Sequence, residues 1–125
     1  MGPARLAIVS VVCLIAAASA YADSSEPLLG ASPNPVRAGA HVRVHGRIPG
    51  CLAGDQLTLI SRAFSHQHDF AGQPAVFAAI RKDGSFSVRT RIPSTRKPRR
   101  YSIGGRCGGG NIGFVRHLRV LAPRR

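Results

Sequence analysis

Two histidines and an aspartate stand close together in the segment "SHQHDF", as His66, His68 and Asp69. Alternate residues of a strand face the same side, so the two imidazoles could hold one Cu²⁺ or Zn²⁺ ion. Any further ligand would have to come from distant histidines, and the second spaced ligand pair typical of zinc sites is missing. A metal site is therefore kept as an alternative to two exposed histidines in a polar loop.

The densest basic run is "STRKPRR", which places Arg96, Lys97, Arg99 and Arg100 next to Tyr101. Guanidinium forks match phosphate and carboxylate groups, so these four residues are candidates for polyanion binding. A base could stack on Tyr101, but the chain has few aromatic residues and no nucleic-acid motif, so specific nucleic-acid recognition is not expected. The alternative is a solvated loop between two strands.

The net charge makes an anionic partner plausible without identifying it. The chain carries 18 Lys and Arg residues against 5 Asp and Glu, a formal charge of +13 at pH 7. Such a protein is drawn to polyanions by a salt-sensitive, non-specific attraction. Arginine enrichment through high-GC coding, with no partner at all, explains the same composition.

The residues available for catalysis are few. Asp55 and Asp69 are the carboxylates that remain for acid–base work outside the amino-terminal tail and a turn, and no serine occupies a nucleophile elbow. Cys107, within "GGRCGGGN", could be a nucleophile only if it is unpaired. A phosphate loop at these glycines would need a following helix, whereas "FVRHLRV" alternates like a strand. We expect no enzyme and no cofactor.

The first 22 residues have the three parts of a secretory signal peptide: Arg5, a short apolar run and the small-x-small segment "AYA". We expect cleavage after Ala22, with Ala20 as the alternative. The run is short for a membrane span, and Cys13 lacks the preceding small residue of a lipoprotein signal. The mature chain, Asp23 to Arg125, is thus expected to be secreted or associated with the cell envelope, with no transmembrane segment.

Two cysteines remain in that mature chain, Cys51 and Cys107. They allow one intramolecular pairing, which an oxidising compartment favours. Two free buried thiols are the alternative.

The elements that position these residues are short strands separated by glycine and proline. No window has a sustained 3.6-residue apolar period, so no long helix is expected. A polar tail over 23–31 leads into an irregular first strand near its end. "HVRVHGRI" then alternates with Val42 and Val44 facing inward, and "QLTLI" does so with Leu57 and Leu59.

A hairpin is predicted within "AVFAAIRKDGSFSVRTRI", because Asp83-Gly84 favours a two-residue turn. That register pairs Lys82 with Ser85, whereas a three-residue loop would flip one strand. It also sets Ala79 opposite Val88 and Phe77 opposite Thr90. The predicted inward residues are Phe77, Ala79, Phe86 and Val88.

The last two strands follow the basic run. Tyr101, Ile103 and Cys107 alternate along the first of them. The final strand is ambiguous, since Leu118 with Val120 suits one face and Val115 with Leu121 suits the other, so a bulge is conceivable. About seven short strands with turn signals between them predict an antiparallel β-sandwich over 32–122, followed by a basic tail over 123–125.

The order of these segments resembles the immunoglobulin-like domains of secreted bacterial proteins, especially those of actinobacteria. The resemblance rests on "SPNPVRAGAHVRVHGRIPGCLAGDQLTL", "KDGSFSVRTRIP" and "YSIGGRCGGGNIGFVRHLRV". It implies a Cys51–Cys107 disulfide and an all-β immunoglobulin-like fold, but it indicates no particular function. A more distant similarity to enediyne-binding apoproteins implies no ligand pocket, because this chain lacks the other, locally paired cysteines of those proteins.

The sequence therefore predicts a small secreted, basic, immunoglobulin-like module with a non-catalytic binding or structural role. We expect it to be monomeric and to associate with anionic envelope or extracellular polymers or a membrane surface. One alternative is an extracellular copper- or zinc-binding sandwich that uses His66 and His68. Another is a cationic protein that acts on membranes or on a host.

Overall fold

The computed structural model describes residues 2–4 and 27–125. Apart from residues 2–4, the predicted signal peptide over 1–22 lies outside these residues, and so does its cleavage site. The described residues form no helix, and hence none long and apolar enough to cross a membrane. They form ten strands: β1 (Leu28–Ser32), β2 (Val36–Arg37), β3 (His41–Arg47), β4 (Gln56–Ile60), β5 (His68–Phe70), β6 (Gln73–Ala79), β7 (Ser85–Arg91), β8 (Arg99–Cys107), β9 (Gly110–Asn111) and β10 (Arg116–Leu121).

The strands form two sheets. The small sheet has the order β1-β3-β7, and the large sheet has the order β2-β10-β8-β4-β6-β5, with β9 paired to β8. All pairings are antiparallel except the short parallel pairing of β2 with β10. The all-β prediction is confirmed, and the strand number exceeds seven because short strands add to the edges.

Buried side chains from both sheets form one hydrophobic cluster. Val42 and Val44 of β3 and Leu57 and Leu59 of β4 are all buried, as their alternation predicts. Burial of each large apolar side chain stabilises the fold by about 1.5–3 kcal/mol. Both sheets therefore contribute side chains to the same core.

The predicted Asp83-Gly84 hairpin is wrong. The backbone N–H of Arg81 bonds to the Ser85 carbonyl at 2.9 Å, and the N–H of Gly84 bonds to the Arg81 carbonyl at 2.9 Å, which closes a three-residue loop. Gly84 supplies the positive φ, 82°, that this loop needs. Beyond the loop the strands separate, since β6 pairs with β4 and β5 while β7 pairs with β3.

The extra loop residue also reverses the parity of β6. Phe77 and Ala79, predicted to face the core, are exposed, and Val76 and Ala78 are buried instead. Lys82 does not pair with Ser85, because the loop closes between Arg81 and Ser85. The predicted pairs Ala79–Val88 and Phe77–Thr90 do not form either, because β6 and β7 belong to different sheets. On β7 the prediction is right: Phe86 is buried and Val88 packs against the core.

A two-residue turn does occur, but between β5 and β6. Ala71 and Gly72 both have positive φ, 51° and 84°, and the flanking Phe70 and Gln73 are paired. Positive φ at both central residues is the requirement of the tight hairpin turn. The Asp69 carboxylate also accepts a hydrogen bond from Gly72 N at 3.1 Å.

The disulfide Cys51–Cys107 is present, with the Cα atoms 5.9 Å apart. It joins the turn before β4 to the last residue of β8, which confirms the pairing and excludes two free thiols. In β10, Leu118 and Val120 are buried, whereas Val115, the residue before this strand, is 57% exposed. The structure thus decides the parity that the sequence left open, and β10 pairs with β8 without interruption from Arg116 to Val120.

Candidate anion-binding face

The outer surface of β8 and β10 carries two arginines in direct opposition. Tyr101 and Leu118 are a paired, buried couple, so their neighbours Arg100 and Arg119 point outward and are themselves paired. Ser102 and His117, one step further along the ladder, form the next outward pair. We call this surface, Arg100, Ser102, His117 and Arg119, the β8–β10 face.

Like charges directly opposite each other destabilise a sheet, so the Arg100–Arg119 pair carries a local electrostatic cost. Within residues 2–4 and 27–125, no carboxylate forms an ion pair with either arginine; the ion pairs there join Arg47 to Asp83 and His66 to Asp69. The guanidinium groups therefore keep donors available for an external anion.

The β8–β10 face borders an open cleft of about 510 Å³ lined by Asn34, Arg100, Val115, Arg116, His117 and Arg119. Asn34 fixes one wall of this cleft. Its side-chain amide donates to the His117 carbonyl at 2.9 Å, and its Oδ1 accepts from Arg119 N at 3.0 Å. These two bonds attach the segment before β2 to the backbone of β10 and leave the Arg119 guanidinium free to project.

A second cleft, of about 390 Å³, lies on the other side of Arg100. The Arg99 guanidinium lies 4.7 Å from the centre of the Tyr101 ring, and this cation–π contact holds the side chain beside the cleft. Arg100 lines both clefts, so the basic surface is continuous across them. The residues of this second cleft are Arg62, Gln73, Arg99, Arg100, Tyr101 and Ser102.

The four predicted polyanion-binding residues do not form one site. Arg96 is half-buried and donates from Nη2 to the Phe64 carbonyl at 2.8 Å, so it holds one loop to another. The carbonyl of Lys97 accepts the Tyr101 hydroxyl at 2.7 Å, while its side chain lies in an exposed loop. Arg99 and Arg100 are the two that reach the clefts.

Three arginines that line the two clefts were not predicted from the sequence: Arg62, Arg116 and Arg119. The usable signal was the alternation of Leu118 and Val120, which turns Arg119 outward once that parity is chosen. The opposition of Arg119 to Arg100 depends on the register between β8 and β10, which the sequence alone does not set.

The histidine cluster is arranged around a turn. His66 Nε2 lies 2.8 Å from Asp69 Oδ1, and the His68 ring stacks on Phe77 with centroids 3.8 Å apart. The hydrogen bond from Gly72 N, and secondly that from His66, lowers the pKa of Asp69 below its usual value. In the described part of the chain, no group of three or more His, Cys, Asp or Glu side chains could hold a metal ion.

The residues considered for catalysis have structural partners. Asp55 Oδ2 accepts from Leu52 N at 3.0 Å and so closes the turn before β4. Cys107 is oxidised in the disulfide and has no thiolate to offer as a nucleophile. By contrast, Arg100 and Arg119 of the β8–β10 face form no ion pair within residues 2–4 and 27–125, so their guanidinium groups have donors that an anion could accept.

Comparisons with known proteins assign this chain to no family. No family model matches the chain, and no curated protein matches it. Among solved structures, it is similar to the Pseudomonas fluorescens alkylpurine DNA glycosylase AlkC bound to DNA containing an abasic site analog, with a TM-score of 0.49 and 12% identity. The match covers 76% of this chain and 29% of that protein, so the chain spans less than a third of its length.

Proposed function

We propose that this chain is a small secreted immunoglobulin-like module that binds anionic polymers of the envelope or extracellular space through its β8–β10 face. The role is one of binding, without catalysis. The observation that carries the proposal is the outward Arg100–Arg119 pair, which borders a cleft and forms no ion pair in residues 2–4 and 27–125.

The immunoglobulin-like part is supported by strand order and by one hydrogen bond. The small sheet contains the first, third and seventh strands, and β10, β8 and β4 are neighbours in the large sheet, as strands A, B, E and G, F, C are in that fold. Tyr101, near the start of β8, bonds back to the Lys97 carbonyl, as in a tyrosine corner. The disulfide departs from the antibody pattern, because Cys51 follows β3 instead of lying in it.

The chemistry of the face favours polymers recognised by their charged groups. Guanidinium forks bind phosphate and carboxylate oxygens, and the Cβ atoms of the directly opposed Arg100 and Arg119 lie about 4.5–5.5 Å apart, so the two side chains can reach neighbouring anionic groups. Stacking of bases would need an exposed aromatic ring, whereas Tyr101 is only 6% exposed. The face therefore suits the repeated anionic groups of a linear polymer better than it suits the bases of a nucleic acid.

The test measures binding of two labelled polymers, a linear polyphosphate and a polygalacturonate, to an Arg100→Gln, Arg119→Gln variant. We expect this variant to bind less of the preferred polymer at low salt than the control variant does, and we expect a steep fall of wild-type affinity as salt rises. The matched control, Lys82→Gln with Arg125→Gln, removes the same charge from a turn and the carboxyl terminus.

The two polymers separate phosphate from carboxylate as the ligand group. Equal affinity of the Arg100→Gln, Arg119→Gln variant and the control variant for both polymers would overturn the β8–β10 face as the binding site. Absence of wild-type binding to either polymer at low salt would overturn the function itself.

A further inference from the structure

We infer that the protein has a second polyanion site on the opposite side of the core and bridges two polymer chains. This inference rests on the proposed function, since it takes the same class of ligand. It goes beyond that function because it makes the module bivalent, and hence able to cross-link a polymer network.

The second site is the outer surface of β3 and β7. Val42, Val44 and Phe86 point into the core, so the residues between them point outward. Along this ladder Arg43 is paired with Arg89, and His45 is paired with Ser87. We call this surface, Arg43, His45, Ser87 and Arg89, the β3–β7 face.

The two faces have the same composition and the same pairing. On the β8–β10 face, Arg100 opposes Arg119 and Ser102 opposes His117. On the β3–β7 face, Arg89 opposes Arg43 and Ser87 opposes His45. Each is thus a quartet in which an arginine pair is followed, two residues along both strands, by a serine–histidine pair. The repeated quartet is the reason to assign one ligand class to both faces.

The arginines of the β3–β7 face also keep donors for a ligand. Arg43 Nη1 donates to Ser87 Oγ at 2.8 Å, diagonally across the ladder and away from its opposite partner. The Arg89 side chain has neither a hydrogen bond nor an ion pair within the described residues. The opposed guanidinium groups repel each other, as on the first face, and a bound anion would relieve that repulsion.

Neighbouring side chains extend this positive surface. His41 is paired with Arg91 at the next outward position, where Arg91 Nε donates to the Gly39 carbonyl at 3.3 Å. Arg47, at the other end of β3, is 3.9 Å from Asp83, an exposed carboxylate. The quartet therefore lies within a longer cationic strip that runs along β3 and β7.

The placement of the two faces makes the protein bivalent. They belong to different sheets that pack against the same buried cluster, and each is the surface turned away from that cluster. Packed sheets are about 10 Å apart, and the arginine side chains extend outward from both. A short polyanion can therefore occupy one face only, and two of them can bind together.

The experiment counts ligands. A short linear polyphosphate is titrated by calorimetry and native mass spectrometry into wild type, Arg43→Gln/Arg89→Gln, Arg100→Gln/Arg119→Gln and the quadruple variant. We expect two oligomers per wild-type chain, one for each double variant and none for the quadruple variant. The Lys82→Gln/Arg125→Gln control should retain two, and far-UV circular dichroism checks that every variant is folded.

The outcomes separate this inference from the proposed function. One oligomer per wild-type chain, unaffected by Arg43→Gln/Arg89→Gln, would overturn the second site and leave the first. Loss of one oligomer in Arg43→Gln/Arg89→Gln but not in Arg100→Gln/Arg119→Gln would keep the second site and remove the first. With long polyphosphate, wild type should raise light scattering by cross-linking, whereas each double variant should bind without doing so; equal scattering by all three would also overturn bridging.

Discussion

The hydroxyl of Tyr101 donates a hydrogen bond to the carbonyl of Lys97 at a distance of 2.7 Å. The Tyr101 ring is buried, and Lys97 belongs to the loop between β7 and β8. Because Lys97 lies two residues before the start of β8, the bond fixes the direction in which the chain enters that strand. It thereby helps to place Arg99 and Arg100, the first residues of that strand, beside the clefts.

Replacement of Tyr101 by Phe should lower the free energy of unfolding by about 1 kcal/mol, the net value of a typical intramolecular hydrogen bond. The ring and its packing are retained, so the loss reports the hydroxyl alone. Urea denaturation followed by circular dichroism measures it, with Ser102→Ala on the exposed neighbouring position as the control. An unfolding midpoint equal to that of wild type would show that the bond adds no stability.

Gly46 allows β1 to lie against β3. A Cβ atom built on Gly46 would overlap the carbonyl oxygen of Leu28, which is backbone and cannot move aside as a side chain could. Gly46→Ala should therefore cost about 1–3 kcal/mol or separate β1 from the sheet. Gly50→Ala is the matched control, since no atom lies within 4 Å of its added Cβ. Hydrogen exchange of the β1 amides measures the separation, and equal protection in both variants would contradict this account.

Ala71 occupies a conformation better suited to glycine. Its φ of 51° lies in the left-handed region, which costs a residue with a Cβ about 1–2 kcal/mol. Ala71→Gly should raise the free energy of unfolding by up to about 1 kcal/mol, because the relief of strain exceeds the added entropy of the unfolded chain. Thermal unfolding tests this against Ala53→Gly, a turn position without positive φ, which should be destabilised. A lower melting temperature for Ala71→Gly would refute it.

Local alternation predicted which side chains of a strand face the core wherever the pattern was unambiguous. Val42 with Val44 and Leu57 with Leu59 are buried as expected, because a strand's side chains alternate whatever its partner is. The disulfide was predictable for a different reason: two cysteines of the expected mature chain allow one pairing.

Which strands pair with each other was harder to predict from the sequence. Asp83-Gly84 has the residues of a two-residue turn, but a loop of three residues forms there, and β7 leaves for the other sheet. Local turn preference cannot reveal that a distant strand, here β3, offers a better partner. The candidate site depended on the same information, since the opposition of Arg100 and Arg119 exists only in the register of β8 with β10.

The Asp83 carboxylate should make stability depend on pH in the acid range. Hydrogen bonds from the Ser85 hydroxyl and then from the Ser85 N–H, together with the charge of Arg47, lower the pKa of Asp83 below its ordinary value of 3.8. The folded state therefore favours the ionised form. This contribution is fully present above the ordinary value and is lost as the pH falls through the lower, folded-state pKa.

Asp83→Asn should accordingly lower the melting temperature at pH 7, and the difference from wild type should shrink progressively below pH 3.8. Thermal unfolding at several pH values measures the difference, and Lys82→Gln, in the same exposed loop, serves as the control. Ser85→Ala should reproduce part of the effect, because it removes the hydroxyl that donates to Asp83 and leaves the backbone N–H. A difference between Asp83→Asn and wild type that stays constant from pH 7 into the acid range would show that the ionised carboxylate does not stabilise this loop.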